Sequence, residues 1–142
     1  MSADVDPLRS ACLSVDLSGL RVLVVDDHVD TLDMMRVALE MCGAAVVVSN
    51  SAREGLQAVV RYGPDIVLSD LAMPQEDGFW LVDQVRSLQG GATGELPVIA
   101  VTAHARRYGY DEILRAGFDG LIRKPVDPVS LCDDVRGFVG RG

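Results

Sequence analysis

Five short apolar runs divide this chain, at 20–25 (LRVLVV), 44–48 (AAVVV), 66–68 (IVL), 96–101 (LPVIAV) and 120–122 (GLI). They are continuous rather than alternating, which suits strands covered on both faces, as in a parallel sheet. Between them lie segments of helical period. The first, about 30–42, puts Met34, Met35, Ala38, Leu39 and Cys42 on one stripe and stops at Gly43. The second opens SARE, a capping box on Ser51 and Glu54, and is expected to bury Ala52, Leu56, Val59 and Val60. The third, about 79–89, carries Leu81, Val82, Val85 and Leu88 and runs into QGGATG; the fourth, about 105–116, carries Ile113, Leu114 and Ala116. The fifth begins at Asp127-Pro128, with proline at the first helical position, and places Leu131, Val135 and Phe138 on one face. A β-α unit repeated five times predicts a doubly wound α/β sheet.

Composition narrows the function classes. The 142 residues suffice for one domain with its own core and are too few for two ordinary ones. Residues 1–18 lack a clear period and are expected to be a tail or linker, leaving 19–140 as the domain. The net charge of −8, with no Lys/Arg run, disfavours direct nucleic-acid binding. No stretch approaches the apolar length of a membrane span, and the acidic start lacks the pattern of a secretory signal, so a cytoplasmic location is expected. The three cysteines, Cys12, Cys42 and Cys132, are odd in number and far apart. They predict neither a zinc site nor a disulfide framework, and a reducing cytosol fits them.

The polar residues that close the apolar runs carry the chemistry. Asp26 and Asp27 end the first run, and at roughly 5 Å and an effective dielectric near 20 such a pair costs about 3 kcal/mol. Either water or a cation has to offset that. Asp70 ends the third strand, Thr102 the fourth, and Lys124 follows the fifth. In open parallel sheets ligands bind beyond the carboxyl ends of the strands, so these groups are expected to share one pocket. Three carboxylates form an all-oxygen site suited to Mg²⁺ or Mn²⁺. Lys124 and Thr102 remain to hold phosphate oxygens, and a carboxylate is a competent nucleophile for phosphoryl transfer. Asp70, alone and central, is the candidate acceptor.

These residues resemble the response regulator receiver domain of two-component signalling, over about residues 19–140. The likeness rests on VVDDH at 24–28, SDLAMPQEDG at 69–78, VTA at 101–103 and KP at 124–125. The resemblance implies a flavodoxin-like (βα)5 sheet of strand order 2-1-3-4-5. It implies Mg²⁺ held by Asp26, Asp27, Asp70 and the carbonyl of Ala72. It also implies phosphoryl transfer to Asp70 from a histidine kinase or phosphotransfer protein, with Thr102 and Lys124 on the phosphate, a cis Lys124–Pro125 bond and slow autodephosphorylation. Met73, Pro74 and Gly78 would shape the loop after the acceptor. The segment from Thr102 to Pro128 is most similar to receivers attached to hybrid histidine kinases. One position departs from the family pattern: many receivers have an inward-turning aromatic three residues before the lysine, and here it is Leu121, which leaves the switch to Thr102 and the loop after it. His104 is placed to influence phosphate lifetime. Val29, Leu32 and Arg36 are expected on an outer face of the first helix, as a kinase-docking edge.

The expected role is a self-phosphorylating, autodephosphorylating signalling module with output through protein contacts or a longer parent chain, rather than a metabolic enzyme. Two alternatives are a pseudo-receiver that never carries phosphate and an aspartate-nucleophile phosphatase. The latter chemistry wants a second acid two residues after the nucleophile, where this chain has Ala72.

Overall fold

In the computed structural model, residues 15–89, 96–103 and 105–139 are described. Strands β1 (Arg21–Val25), β2 (Ala45–Ser49), β3 (Ile66–Asp70), β4 (Val98–Thr102) and β5 (Gly120–Arg123) form one parallel sheet in the order β2-β1-β3-β4-β5. The helices are α1 (Val29–Met41), α2 (Ala52–Tyr62), α3 (Gly78–Gln89), α4 (Ala105–Tyr108), α5 (Tyr110–Arg115) and α6 (Pro128–Val139). This is the flavodoxin-like doubly wound architecture that the alternation of runs predicts.

Each continuous apolar run divides between two cores, because successive strand residues point to opposite faces. Val22, Val24, Ile66, Leu68, Ile99 and Val101 pack with α1 and α6. Leu23, Val25, Val67, Val98 and Ala100 pack with α2, α3 and α5. β2 pairs only with β1, so at this edge Val48 stays exposed. Val15 and Leu17, within the stretch expected to be a tail, are buried against the α1–α6 face, and the Leu17 amide donates to the Cys42 carbonyl at 2.9 Å.

Local signals set the helix ends. The Ser51 hydroxyl accepts from the Glu54 amide at 3.2 Å, and α2 stops at Gly63, whose φ of 57° is left-handed. Asp127 accepts from the Val129 amide at 3.0 Å ahead of α6. Asp77 likewise accepts from the Trp80 amide at 2.9 Å ahead of α3.

Three expectations about the helices need correction. The inward face of α2 is Ala52, Gly55 and Ala58, with Leu56 and Val59 only partly buried and Val60 exposed. Small residues are needed there because the helix lies close on β1: a Cβ on Gly55 would come within 2.8 Å of Val25 Cγ2. Leu88, expected on the buried stripe of α3, is exposed. The single helix expected over 105–116 is two short ones, broken at Gly109, whose φ of 77° leaves the helical region.

The cysteines also need correction. Cys42 and Cys132 form a disulfide, 90 residues apart in sequence and 6.7 Å apart at Cα. Cys42 closes α1 and Cys132 lies on the inward stripe of α6, and these helices pack side by side on one sheet face. Sequence spacing conceals the pairing because it arises from the stacking of the first and last helices. Cys12 lies outside the described residues.

A cross-link over a 90-residue separation removes denatured-state entropy worth about 4–5 kcal/mol in the chain-entropy limit. Measured gains are typically about 2–4 kcal/mol. Urea unfolding with and without dithiothreitol should show a loss of about 3 kcal/mol on reduction, and Cys132→Ala should respond to reductant not at all. Equal midpoints for the wild type in both conditions would mean that the bridge does not contribute.

Candidate functional site

The site is built by strand register. Val25 pairs with Ser69, which sets Asp26, the next residue after β1, level with Asp70. Asp70 pairs with Val101, and Thr102 with Arg123, so Thr102 and Lys124 follow one step further along. Strands β1, β3, β4 and β5 thereby bring Asp26, Asp70, Thr102 and Lys124 to one edge of the sheet, as the sequence predicts.

Burial makes the charges matter. Asp26 is 1% exposed, Asp70 3% and Thr102 0%. Two carboxylates this deep require a counter-charge. Lys124 supplies it: its Nζ lies 2.8 Å from Asp26 Oδ2 and donates to Asp70 Oδ2 at 3.1 Å. Burial drives the Asp70 carboxyl above its ordinary range and the Asp26 charge adds to this, while Lys124 opposes both. Burial also works against the Lys124 charge, but its hydrogen bonds and ion pairs with Asp26 and Asp70 outweigh that and hold the ammonium above its ordinary value. Lys124 is therefore charged, and it links the two strand ends.

The surroundings are open on one side. A cleft of about 320 Å³ is lined by His28, Thr31, Asp70, Ala72, Ala103 and Lys124. The Ala72 amide lies 3.4 Å from Asp70 Oδ1, which it faces as a donor. Gly78 opens α3 directly against the end of β3, where a Cβ would collide with the Asp70 carbonyl oxygen and lie 3.0 Å from Leu71 Cα. Any side chain there would push the Asp70 backbone, so glycine is required by close approach. Met73 is buried in the loop between, and the Lys124–Pro125 bond is cis.

The residues singled out in the sequence divide unevenly. Asp26, Asp27, Asp70 and Lys124 converge. Thr102 stands at the same edge but is fully buried, and Ala103 is the residue of that strand end lining the cleft. Leu121 pairs with Ala100 and packs partly buried against the α2–α3–α5 face. His104 lies outside the described residues. The expected docking edge on α1 is corrected at one position: Leu32 is 5% exposed and belongs to the core, while Val29 is exposed and Arg36 half-buried. Leu32, Met35 and Leu39 recur at i, i+3 and i+7, so they form one inward stripe. Thr31 and His28 line the cleft without having been assigned a role there. Their signal was positional, since both sit in the first turn after the strand that ends in the acidic pair.

The donor set fits a hard divalent cation. Asp26, Asp27 and Asp70 bring carboxylate oxygens within 4.8 Å of one another, with His28 in the same cluster. Asp27 Oδ1 is buried and accepts no hydrogen bond among the described residues. His28 Nδ1 lies 3.3 Å from it, and a divalent cation among the three carboxylates would supply it a stronger partner.

A parallel sheet of this order, with a buried acidic cluster facing a lysine beyond its carboxyl edge, defines the α/β domains whose function sits at the strand ends. The family model for the response regulator receiver domain matches residues 22–136, and the chain belongs to that family, whose place is in two-component signalling. It is 46% identical over 115 residues to an uncharacterized 14.6 kDa protein of Leptolyngbya boryana, covering 81% of this chain and 86% of that one. It is 32% identical over 121 residues to the sensor protein GacS of Pseudomonas syringae pv. syringae, covering 84% of this chain but only 13% of that protein. Among solved structures it resembles a putative response regulator from Chloroflexus aurantiacus J-10-fl, with a TM-score of 0.77 and 29% identity over 86% of this chain and 98% of that one. A CheY-like receiver domain protein from Methanospirillum hungatei JF-1 gives a TM-score of 0.75 at 29% identity, covering 86% and 94%. Receiver domains bind Mg²⁺ at an acidic pocket and partner with histidine kinases and phosphotransfer proteins.

Because the folded state raises the Asp70 pKa, ionised Asp70 costs stability at pH above that raised value. The cost disappears as pH falls through it toward the ordinary 3.8. Asp70→Asn should therefore unfold at a higher temperature than wild type in EDTA at pH 7, with the advantage shrinking toward pH 4. Mg²⁺ at ten times its Kd should stabilise wild type by about 1.4 kcal/mol and the variant much less. An Asp70→Asn midpoint at or below wild type at pH 7 would show that the acidic cluster is not under electrostatic stress.

Proposed function

We propose that this chain is a phosphoryl-accepting signalling module in which Asp70 takes the phosphoryl group from a phosphohistidine of a histidine kinase or phosphotransfer protein. The observation that carries the reading is the placement of Asp70: buried, yet lining the open cleft, with its Oδ2 held by Lys124 at 3.1 Å. A carboxylate so held is oriented for in-line attack, and the Lys124 ammonium beside it opposes the upward pull of burial on its pKa.

Mg²⁺, held by Asp26, Asp27, Asp70 and the Ala72 carbonyl, would offset charge on the transferring group. The Asp70 oxygen forms the new O–P bond as the P–N bond of the donor breaks, and the donor imidazole leaves as the neutral base after taking up a proton. Lys124, already at the acceptor, is placed to exchange its Asp70 contact for a phosphoryl oxygen. Thr102, at the end of the adjacent strand, would supply the hydroxyl that ties phosphorylation to the loop after β4. With Leu121 at the position where many receivers carry an aromatic, that loop rather than an aromatic rotamer would convey the change. Hydrolysis of the acyl phosphate would reset the module slowly, with output through contacts with a protein effector.

The phosphohistidine donors in question are made from ATP, so we place the protein in the cytoplasm. There the Cys42 and Cys132 sulfurs would face reducing conditions, shielded by burial. No helix among the described residues is long and apolar enough to cross a membrane.

Intact mass after incubation with Mg²⁺ and acetyl phosphate tests the reading. Wild type should gain one phosphoryl group, and Asp70→Ala and an EDTA control should gain none. Absence of a gain in wild type that still binds Mg²⁺ would point instead to a module that does not cycle phosphate. Steady release of phosphate from small phosphoesters would point to a phosphatase.

A further inference from the structure

His28 lines the cleft, and the proposed acceptor chemistry gives it no part. It stands at the N-cap position of α1, with φ −93° and ψ 108°, yet its side chain makes no capping hydrogen bond. The ring turns toward the acidic cluster instead. Its Nδ1 lies 3.1 Å from Asp26 Oδ1, 3.3 Å from Asp27 Oδ1 and 3.9 Å from Asp70 Oδ2. The His28 amide also donates to Asp26 Oδ1 at 2.9 Å, which fixes that carboxylate against the ring's own backbone. One imidazole nitrogen thus faces all three carboxylates, and the three oxygens and the nitrogen lie within 4.8 Å of one another.

Resting on the reading that the three carboxylates bind a divalent cation, we infer that His28 adds a nitrogen ligand and shifts the preference of this site from Mg²⁺ toward first-row transition ions, least for Mn²⁺ and more for Co²⁺ and Zn²⁺. Mg²⁺ demands oxygen donors and parts reluctantly with its waters, so an imidazole contributes little to its binding. Imidazole suits the later divalent ions, whose affinity for mixed N/O sites is higher. The ring is 65% exposed, so it can move onto an ion without rearranging the core. Burial of Asp26 and Asp70 holds the oxygen side of the set in place from the strand ends, while the imidazole approaches from the first turn of α1.

The test uses Mn²⁺ as probe on the full chain, with His28→Gln and Asp27→Asn as variants and circular dichroism to verify folding. Pulsed EPR of the Mn²⁺-loaded protein should show ¹⁴N modulation in wild type that is lost in His28→Gln. The chain has a second histidine, His104, and a signal surviving in His28→Gln would assign the nitrogen elsewhere and overturn the inference. Calorimetric titration should show Mn²⁺ affinity falling about tenfold in His28→Gln, the low end of what loss of a metal-supporting group costs, with Mg²⁺ affinity within about twofold of wild type. Mn²⁺ bound without ¹⁴N modulation, and equally well by His28→Gln, overturns the role of His28 and leaves the acidic site standing, provided Asp27→Asn weakens both ions. Failure of wild type to bind either ion overturns both readings.

Discussion

The structure turns on one ammonium group. Lys124 reaches Asp26 Oδ2 at 2.8 Å and Asp70 Oδ2 at 3.1 Å, at the edge where strands β1, β3 and β5 deliver their ends. Without it, two buried carboxylates would face each other with a third beside them, and each close pair would repel by about 3 kcal/mol at an effective dielectric near 20. With it, they sit close together around one ammonium group. Three carboxylates against one ammonium leave a place for a divalent cation, so the arrangement that the fold must tolerate is the one the proposed phosphoryl transfer would use.

The sheet makes this tolerable by being rigid. β3 and β4 are buried along their whole length, and the apolar layers on both faces hold their registers. A slip of one residue would turn Asp70 or Thr102 away and send an apolar side chain to the cleft. Gly78 adds a steric condition, since α3 can start close against Asp70 only without a Cβ. The position of Asp70 is thus set by backbone packing more than by contacts among the polar side chains. The Cys42–Cys132 bridge fastens α1, which begins beside the acidic cluster, to α6, so the first and last helices cannot separate independently.

Family membership and site geometry bear on different questions. Membership places the chain in two-component signalling. The local chemistry adds particulars: Leu121 where many receivers carry an aromatic, Ala72 exposed beside Asp70, and His28 facing the three carboxylates.

The sequence by itself determined the element order, the five strands to within a few residues, the caps at Ser51 and Asp127, and the polar residues at the strand ends. Those features are local: apolar runs, helical periods and capping chemistry act over a few residues. Tertiary structure decided the rest. The phase of α2 came from how closely Gly55 approaches Val25, the break at Gly109 from the backbone conformation there, and the burial of Leu32 from which stripe of α1 met the sheet. The Cys42–Cys132 pairing and the aim of His28 into the acidic cluster depend on neighbours distant in sequence or on the packing of a helix end. Periodicity shows that a helix has a buried face, but only the surface it meets determines which residues that face contains and which side chains end up in contact.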